Sequence, residues 1–246
     1  MSLKTIKLTL EYVGTNYCGW QTQPNGISVQ KVLEDCLKKI TGEDIRVHGS
    51  GRTDSGVHAE EQVAHFRAET RLDASAFQRA LNSLLPEDIV VKDSAEVSPD
   101  FHAQFSQKGK RYRYAILNRR HPSAFLRPFV WHFPYALNVE RMREAAGYLV
   151  GEHDFAAFQA AKSDIKSTVR RLTLLEIHER DGQILIFFEG NGFLKHMVRI
   201  VVGTLVEIGS GYRKPEEMKE ILASRDRKKA GRTAPPHGLC LEKVFY

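Results

Sequence analysis

Between Gly49 and Ala59 the chain reads Gly-Ser-Gly-Arg-Thr-Asp-Ser-Gly-Val-His-Ala, which sets one carboxylate, Asp54, among Arg52, Thr53, Ser55 and His58. A carboxylate supplied with nearby donors has the makings of a nucleophile or a proton acceptor. The glycines let the segment hold tight backbone angles and let a ligand approach the main chain closely. Gly51 and Gly56 have the spacing of a phosphate-binding loop, but Val57-His58 stand where Lys and Ser/Thr would have to meet phosphate and magnesium, and no helical pattern follows. Neither Ser50 nor Ser55 lies in a GxSxG nucleophile elbow. A turn built from Gly, Ser and Asp for purely local reasons is the competing reading.

Other residues capable of chemistry lie further along. Tyr112 sits within Lys108, Lys110, Arg111 and Arg113, an aromatic ring alternating with positive charge, although the apolar face of a core strand would look the same. Arg199 follows Lys195 by one turn on an apolar helical pattern, a placement equally common on a solvated face. Two basic clusters, Arg119, Arg120 and Arg127, then Arg225, Arg227, Lys228, Lys229 and Arg232, could grip phosphates or simply face water. The cysteines, Cys18, Cys36 and Cys240, are scattered, and no CxxC spacing occurs. That argues against a zinc site or a disulfide framework and predicts a reducing, cytoplasmic setting.

The elements that must position these side chains can be read from period and punctuation. Lys4 to Val13 alternates as a half-buried strand. Ser28 caps a helix whose Val29, Val32, Leu33, Cys36, Leu37 and Ile40 form one apolar stripe. A short strand ending at Gly49 and a longer one over Gln62 to Ala68 flank the Asp54 loop. Asp73 caps a helix carrying Phe77, Leu81 and Leu84, Pro86 stops it, and Ile89 to Val97 is a strand. The order is β-α-β-β-α-β. The second half repeats it with insertions. Strands are predicted over Arg111 to Leu117 and Phe129 to Phe133, then a helix capped by Asn138 with Val139, Met142, Ala145, Ala146 and Leu149. A hairpin turns at Asp181-Gly182, a helix runs from Phe193 to Ile208, a shorter one opens at Pro215, and Leu239 to Tyr246 is a terminal strand. The expected fold is therefore α+β: two similar split β-α-β-β-α-β subdomains, ferredoxin-like or RRM-like, sharing a mixed, mostly antiparallel sheet around a central cleft. The boundary is expected at residues 1-105 and 106-246.

Composition limits the functional classes. The 246 residues carry 36 Lys+Arg against 30 Asp+Glu, a net charge of +6, with 42% hydrophobic and 27% charged residues. That is an ordinary globular balance, and it excludes collagen-like and disordered chains. The longest apolar run, Ile184 to Phe188, is far too short to span a bilayer, and the N-terminus lacks a secretory h-region, so no membrane association is expected. A pI near 9.2 makes nucleic acid a reasonable partner.

The loop Gly51-Arg52-Thr53-Asp54-Ser55-Gly56-Val57-His58-Ala59 resembles the signature of the tRNA pseudouridine synthase A family. Lys110-Arg111-Tyr112-Arg113-Tyr114, Gly192-Phe193-Leu194 with Met197-Val198-Arg199, and Ala234-Pro235-Pro236-His237-Gly238-Leu239 follow in that family's order. Cys240 departs from the pattern, standing where an aromatic residue is frequent.

The resemblance implies an isomerase that converts uridine to pseudouridine at positions 38, 39 and 40 of the tRNA anticodon stem-loop, acting as a homodimer without metal or other cofactor. It implies Asp54 as the catalytic aspartate and Arg199 as its ion-pair partner. Tyr112 would lie against the target base, Leu239 would help form the apolar wall of the pocket, and Arg52 would fill the space left by the flipped nucleotide. Lys110, Arg111, Arg227, Lys228 and Lys229 are the candidates for the RNA backbone. The competing class is a non-catalytic RNA-binding module using the same basic surface. A metal-dependent nuclease or deaminase is disfavoured by the missing HxE and PCxxC pattern.

Overall fold

The computed structural model describes residues 2–24, 26–160 and 165–246. They form an α+β protein whose sheet pairings are mostly antiparallel, grouped into two compact units, Met1–Lys108 with Cys240–Tyr246, and Gly109–Leu239.

In the first unit, strand β1 (Ser2–Tyr12) buries Ile6, Leu8, Leu10 and Tyr12, the side its alternation selects. Each fully buried aliphatic contributes about 1.5 to 3 kcal/mol. Helix α1 (Val29–Thr41) opens where the Ser28 hydroxyl accepts from Lys31 N and buries Val29, Leu33, Cys36 and Leu37. The predicted strand at Ile45 is shorter than expected. Only β2 (His48–Gly49) pairs, although Ile45 and Val47 are buried. Strand β3 (His58–Thr70) runs longer at both ends than its apolar core signals. Helix α2 (Ala74–Leu84) is capped by Asp73 and buries Phe77 and Leu81, while Leu84, expected in the core, is 42% exposed in the last turn. Strand β4 (Ile89–Val97) follows. The order β4-β1-β3-β2, all antiparallel, is that of a split β-α-β-β-α-β sheet.

The second unit contains β5 (Gly109–Leu117), β6 (Trp131–His132), α3 (Val139–Gly147), β7 (Gly151–Asp154), β8 (Val169–Arg180), β9 (Gln183–Gly190), α4 (Met197–Gly209) and α5 (Glu217–Ser224). Asn138 caps α3, and Asp181 and Gly182 turn the hairpin with both φ angles positive, 52° and 72°. The sheet order is β5-β9-β8-β7, antiparallel throughout, with β6 parallel to β5. The polar segment Gly-Glu-His-Asp of β7 gives no strand signal in the sequence. Helix α4 starts four residues later than expected, because His196 adopts φ 62°, outside the range a right-handed helix can use. It is also buried on nearly every side rather than along one stripe, as a helix apolar all round must be.

The sequence pattern groups the terminal strand β10 (Leu239–Phe245) with the second half. Its residues from Cys240 onward belong to the first unit, because β10 pairs in parallel with β3, Cys240 opposite His58 and Leu241 opposite Ala59.

Candidate active site

In the first unit the Asp54 loop leaves β2 and enters β3, and buried side chains hold it at several points. Ser50 N donates to Val63 O (2.7 Å), and its hydroxyl donates to Gln62 Oε1 (2.7 Å). The Gln62 amide in turn donates to Gly51 O (3.0 Å). Thr53 Oγ1 and the Tyr12 hydroxyl share a hydrogen bond of 2.8 Å in the core. Burial pushes the Tyr12 phenol well above its ordinary pKa, so it remains a neutral hydroxyl. A register shift in the β1–β3 ladder between Leu10 and Tyr12 lies beside this contact, where an irregularity can re-aim a side chain.

The far end of the loop is held equally firmly. Trp20 N donates to Thr53 O (3.1 Å), Gly56 N donates to Tyr17 O (3.3 Å), and Val57 N donates to Asp54 O (3.1 Å). His58 Nδ1 accepts from Gly14 N (3.0 Å), so this histidine anchors the loop rather than standing open to a ligand. A Cβ at Gly14 would lie 2.0 Å from Val57 O, which makes that approach possible only for glycine. Asp54 is left half-buried and Arg52 exposed on a loop whose backbone has little freedom. Such preorganisation is what a reacting carboxylate needs. Tyr12, Trp20 and Gln62 escape a sequence reading because they are distant in the chain and look like ordinary core or strand residues.

In the second unit, Lys110, Tyr112 and Tyr114 share one face of β5, while Arg111 and Arg113 share the other. Tyr112 is buried, and its ring meets Phe193 edge-on at 5.1 Å. Lys110 is half-buried, and loss of hydration draws its ammonium down to about 8. Arg111 faces Glu189 at 3.7 Å and lies over the Phe187 ring.

Arg199, in the first turn of α4, donates from Nε to Ala234 O (2.8 Å), and Ala234 N donates back to Arg199 O (3.0 Å). This pair begins a strap, residues 230–238, laid along α4. Gly231 N donates to Thr204 Oγ1 (2.9 Å), and Arg232 N donates to Glu207 Oε1 (3.0 Å). The contact is so close that a Cβ at Gly203 would fall 1.8 Å from Arg232 O. Further on, the Tyr114 hydroxyl donates to Pro235 O (2.8 Å) and Leu239 is buried. Burial holds His237 below its ordinary pKa, and the Arg199 charge acts in the same direction. The second unit thus brings together Arg199, Tyr114 and the 234–239 segment, with Tyr112 on the same strand face as Tyr114.

The basic candidates fall into two groups. Arg227 is half-buried and braces its own loop, donating to Ala230 O (3.3 Å) and Thr233 Oγ1 (3.1 Å). Arg225 pairs with Asp154 at 3.0 Å, and the Arg232 guanidinium lies over Trp131 at 4.7 Å. Lys228 and Lys229 are exposed. Among the described residues no group of three or more His, Cys, Asp or Glu side chains is placed to hold a metal ion, and no helix is long and apolar enough to cross a membrane.

A family model described as tRNA pseudouridine synthase matches residues 9–106 and 145–246. The tRNA pseudouridine synthase A 2 of Clostridium perfringens is 49% identical over 244 residues, covering 99% of this chain and 100% of that protein. The tRNA pseudouridine synthase A of Thermoanaerobacter sp. is likewise 49% identical, with the same coverage. That of Ruminiclostridium cellulolyticum is 49% identical over 245 residues, again 99% and 100% of the two chains.

Proposed function

The chain belongs to the tRNA pseudouridine synthase family, and from that premise we propose that it isomerises uridines of the anticodon stem-loop with Asp54 as the catalytic carboxylate. The observation that carries this reading is the anchored loop itself. Thr53 is fixed through Tyr12 and Gly51 through Gln62, and the half-buried carboxylate is carried between them and His58.

The reaction breaks the bond between N1 and C1′, turns the base and joins C5 to C1′, with a proton leaving C5 and one added at N1. It is redox-neutral, so a carboxylate can manage it without a hydride or electron carrier. Asp54 either attacks C1′ or takes a ribose proton to form a glycal, and the detached uracil is retained until it reacts again. Arg199 is the proposed ion-pair partner of Asp54. Tyr112 stacks on or orients the target ring, Leu239 contributes apolar wall, and Arg52 occupies the space vacated by the flipped nucleotide. Exposed Lys228 and Lys229 suit backbone contact, which adds affinity without sequence choice and weakens with salt. The enzyme works as a homodimer in the cytoplasm.

The test is base-by-base mapping of pseudouridine in tRNA incubated with the wild type and with Asp54→Ala. New pseudouridine confined to the anticodon stem-loop, and absent with the variant, is expected. Modification elsewhere in the tRNA would refute the proposed site, and unchanged modification by the variant would refute the role of Asp54. A Tyr112→Phe variant that keeps the wild-type single-turnover rate would limit Tyr112 to positioning.

A further inference from the structure

Away from the Asp54 loop, the first unit carries an aromatic column that the reaction does not use. Phe105, between β4 and β5, is 75% exposed, yet its ring lies nearly parallel to that of His102, 4.3 Å away at 30°. His102 meets the edge of buried His65 at 4.8 Å, and His65 stacks on exposed His48 at 5.2 Å and 26°. The turn that presents Phe105 is tightly tied. Phe105 N and Ser106 N both donate to His102 O (3.1 and 2.9 Å), Gln104 N donates to His102 Nδ1 (3.2 Å), and His102 N donates to Ser106 Oγ (3.1 Å). Ala103 N donates to His65 Nδ1 (3.2 Å), and Ala103 O accepts from the Tyr246 hydroxyl (2.7 Å).

A lone exposed phenyl needs no explanation. This one is stacked on His102, on a turn fixed by six hydrogen bonds, and two arginines stand close in sequence to the histidines behind it. Arg67, exposed two residues beyond His65 on β3, donates to Pro99 O (2.7 Å), and Arg46, exposed two residues before His48, pairs with Glu34 at 3.3 Å. A purely apolar partner would cover the phenyl but leave the exposed charge of Arg67 and Arg46 unused. A nucleobase would cover the ring while its phosphates met the cations.

We propose that Phe105, backed by His102, His65 and His48, is a stacking platform for an unpaired base of the RNA substrate, with Arg67 and Arg46 facing the neighbouring phosphates. The inference rests on tRNA being the substrate, and it adds an anchoring point outside the catalytic loop. Its effect is on affinity and not on the chemical step.

The test uses the full-length protein with an unmodified tRNA transcript, with binding and single-turnover rate measured at one fixed salt concentration. Phe105→Ala should weaken binding about tenfold and leave the saturated rate unchanged. Phe105→Leu, apolar but without a π face, should match it, while Phe105→Trp should restore affinity and show indole emission quenched by tRNA beyond the wild-type background. Wild-type affinity in the Ala and Leu variants would overturn the platform. So would a change in oligomeric state with unaltered tRNA affinity, which would make the ring a contact between copies. Failure of the underlying reading would appear separately, as a wild type that forms no pseudouridine in the same transcript.

Discussion

Gly51-Arg52-Thr53 in the first unit and Gly231-Arg232-Thr233 in the second carry the same three side chains into different settings. In the first, the threonine is buried against Tyr12, the glycine carbonyl is held by Gln62, and the arginine is left exposed beside Asp54. In the second, the glycine packs against α4, the threonine accepts from Arg227, and the arginine lies across Trp131 and Phe133 while its backbone is bound by Glu207. The first copy fixes its backbone and spares its cation; the second uses its cation to fix a strap. An arginine in a basic cluster is therefore not by that fact a phosphate ligand, and the contrast can be tested at several points.

The largest effect is expected where the strap meets its helix. Gly203→Ala should cost about 3 kcal/mol or more of unfolding free energy in urea titration, because the new methyl group cannot coexist with Arg232 O. Gly14→Ala should instead combine a stability loss with displacement of the Asp54 loop, lowering turnover at least about tenfold. Wild-type behaviour of either variant would show that the close approach is absent.

Acid should reveal the histidine column of the first unit. Burial first, then the charges of His102 and His48, hold His65 down at about 4, against 6.5 for a free imidazole. The unfolded chain therefore binds this proton first as pH falls. Stability that is intact above about pH 6.5 should decline toward pH 4, by on the order of 2 kcal/mol. Unfolding midpoints measured at pH 7 and pH 5 should converge in His65→Gln. An equal acid loss in that variant would assign the effect to other groups.

Thr53→Val removes a buried hydrogen bond and should cost about 1 to 2 kcal/mol with a fall in rate, whereas Thr233→Val should cost less than about 1 kcal/mol and leave the rate alone. The arginines give the smallest stability effects and the clearest reversal. Arg232→Ala should lose about 1 kcal/mol of stability through its ring contacts, while Arg52→Ala should stay within about 0.5 kcal/mol yet turn over tRNA more slowly. Matching behaviour of the two variants in both assays would remove the distinction between the copies.

What could be read from the sequence was mostly local. Ser28, Asp73 and Asn138 announce their helices because a cap is a contact over three residues, and β1 shows its buried face because alternation is a property of neighbours. The Asp54 loop stands out in the sequence for its glycines and charges. The contacts that hold it do not, since Tyr12, Trp20 and Gln62 come from elsewhere in the chain and only the fold aligns them. The same limit hid the His48–His65–His102 column and the pairing of β10 with β3. Strand β7 has no sequence signal because its polar residues form a strand only through pairing with β8, and nothing in the sequence around His196 marks the left-handed turn that delays α4.

The proposed role of Asp54 is to perform the chemistry from a fixed loop. Single-turnover formation of pseudouridine by Asp54→Asn, at protein concentrations that saturate a tRNA transcript, tests this directly. The rate should fall by at least about three orders of magnitude, with tRNA affinity within a few-fold of wild type and an unchanged unfolding midpoint. A rate within tenfold of the wild type, with binding and stability intact, would contradict it.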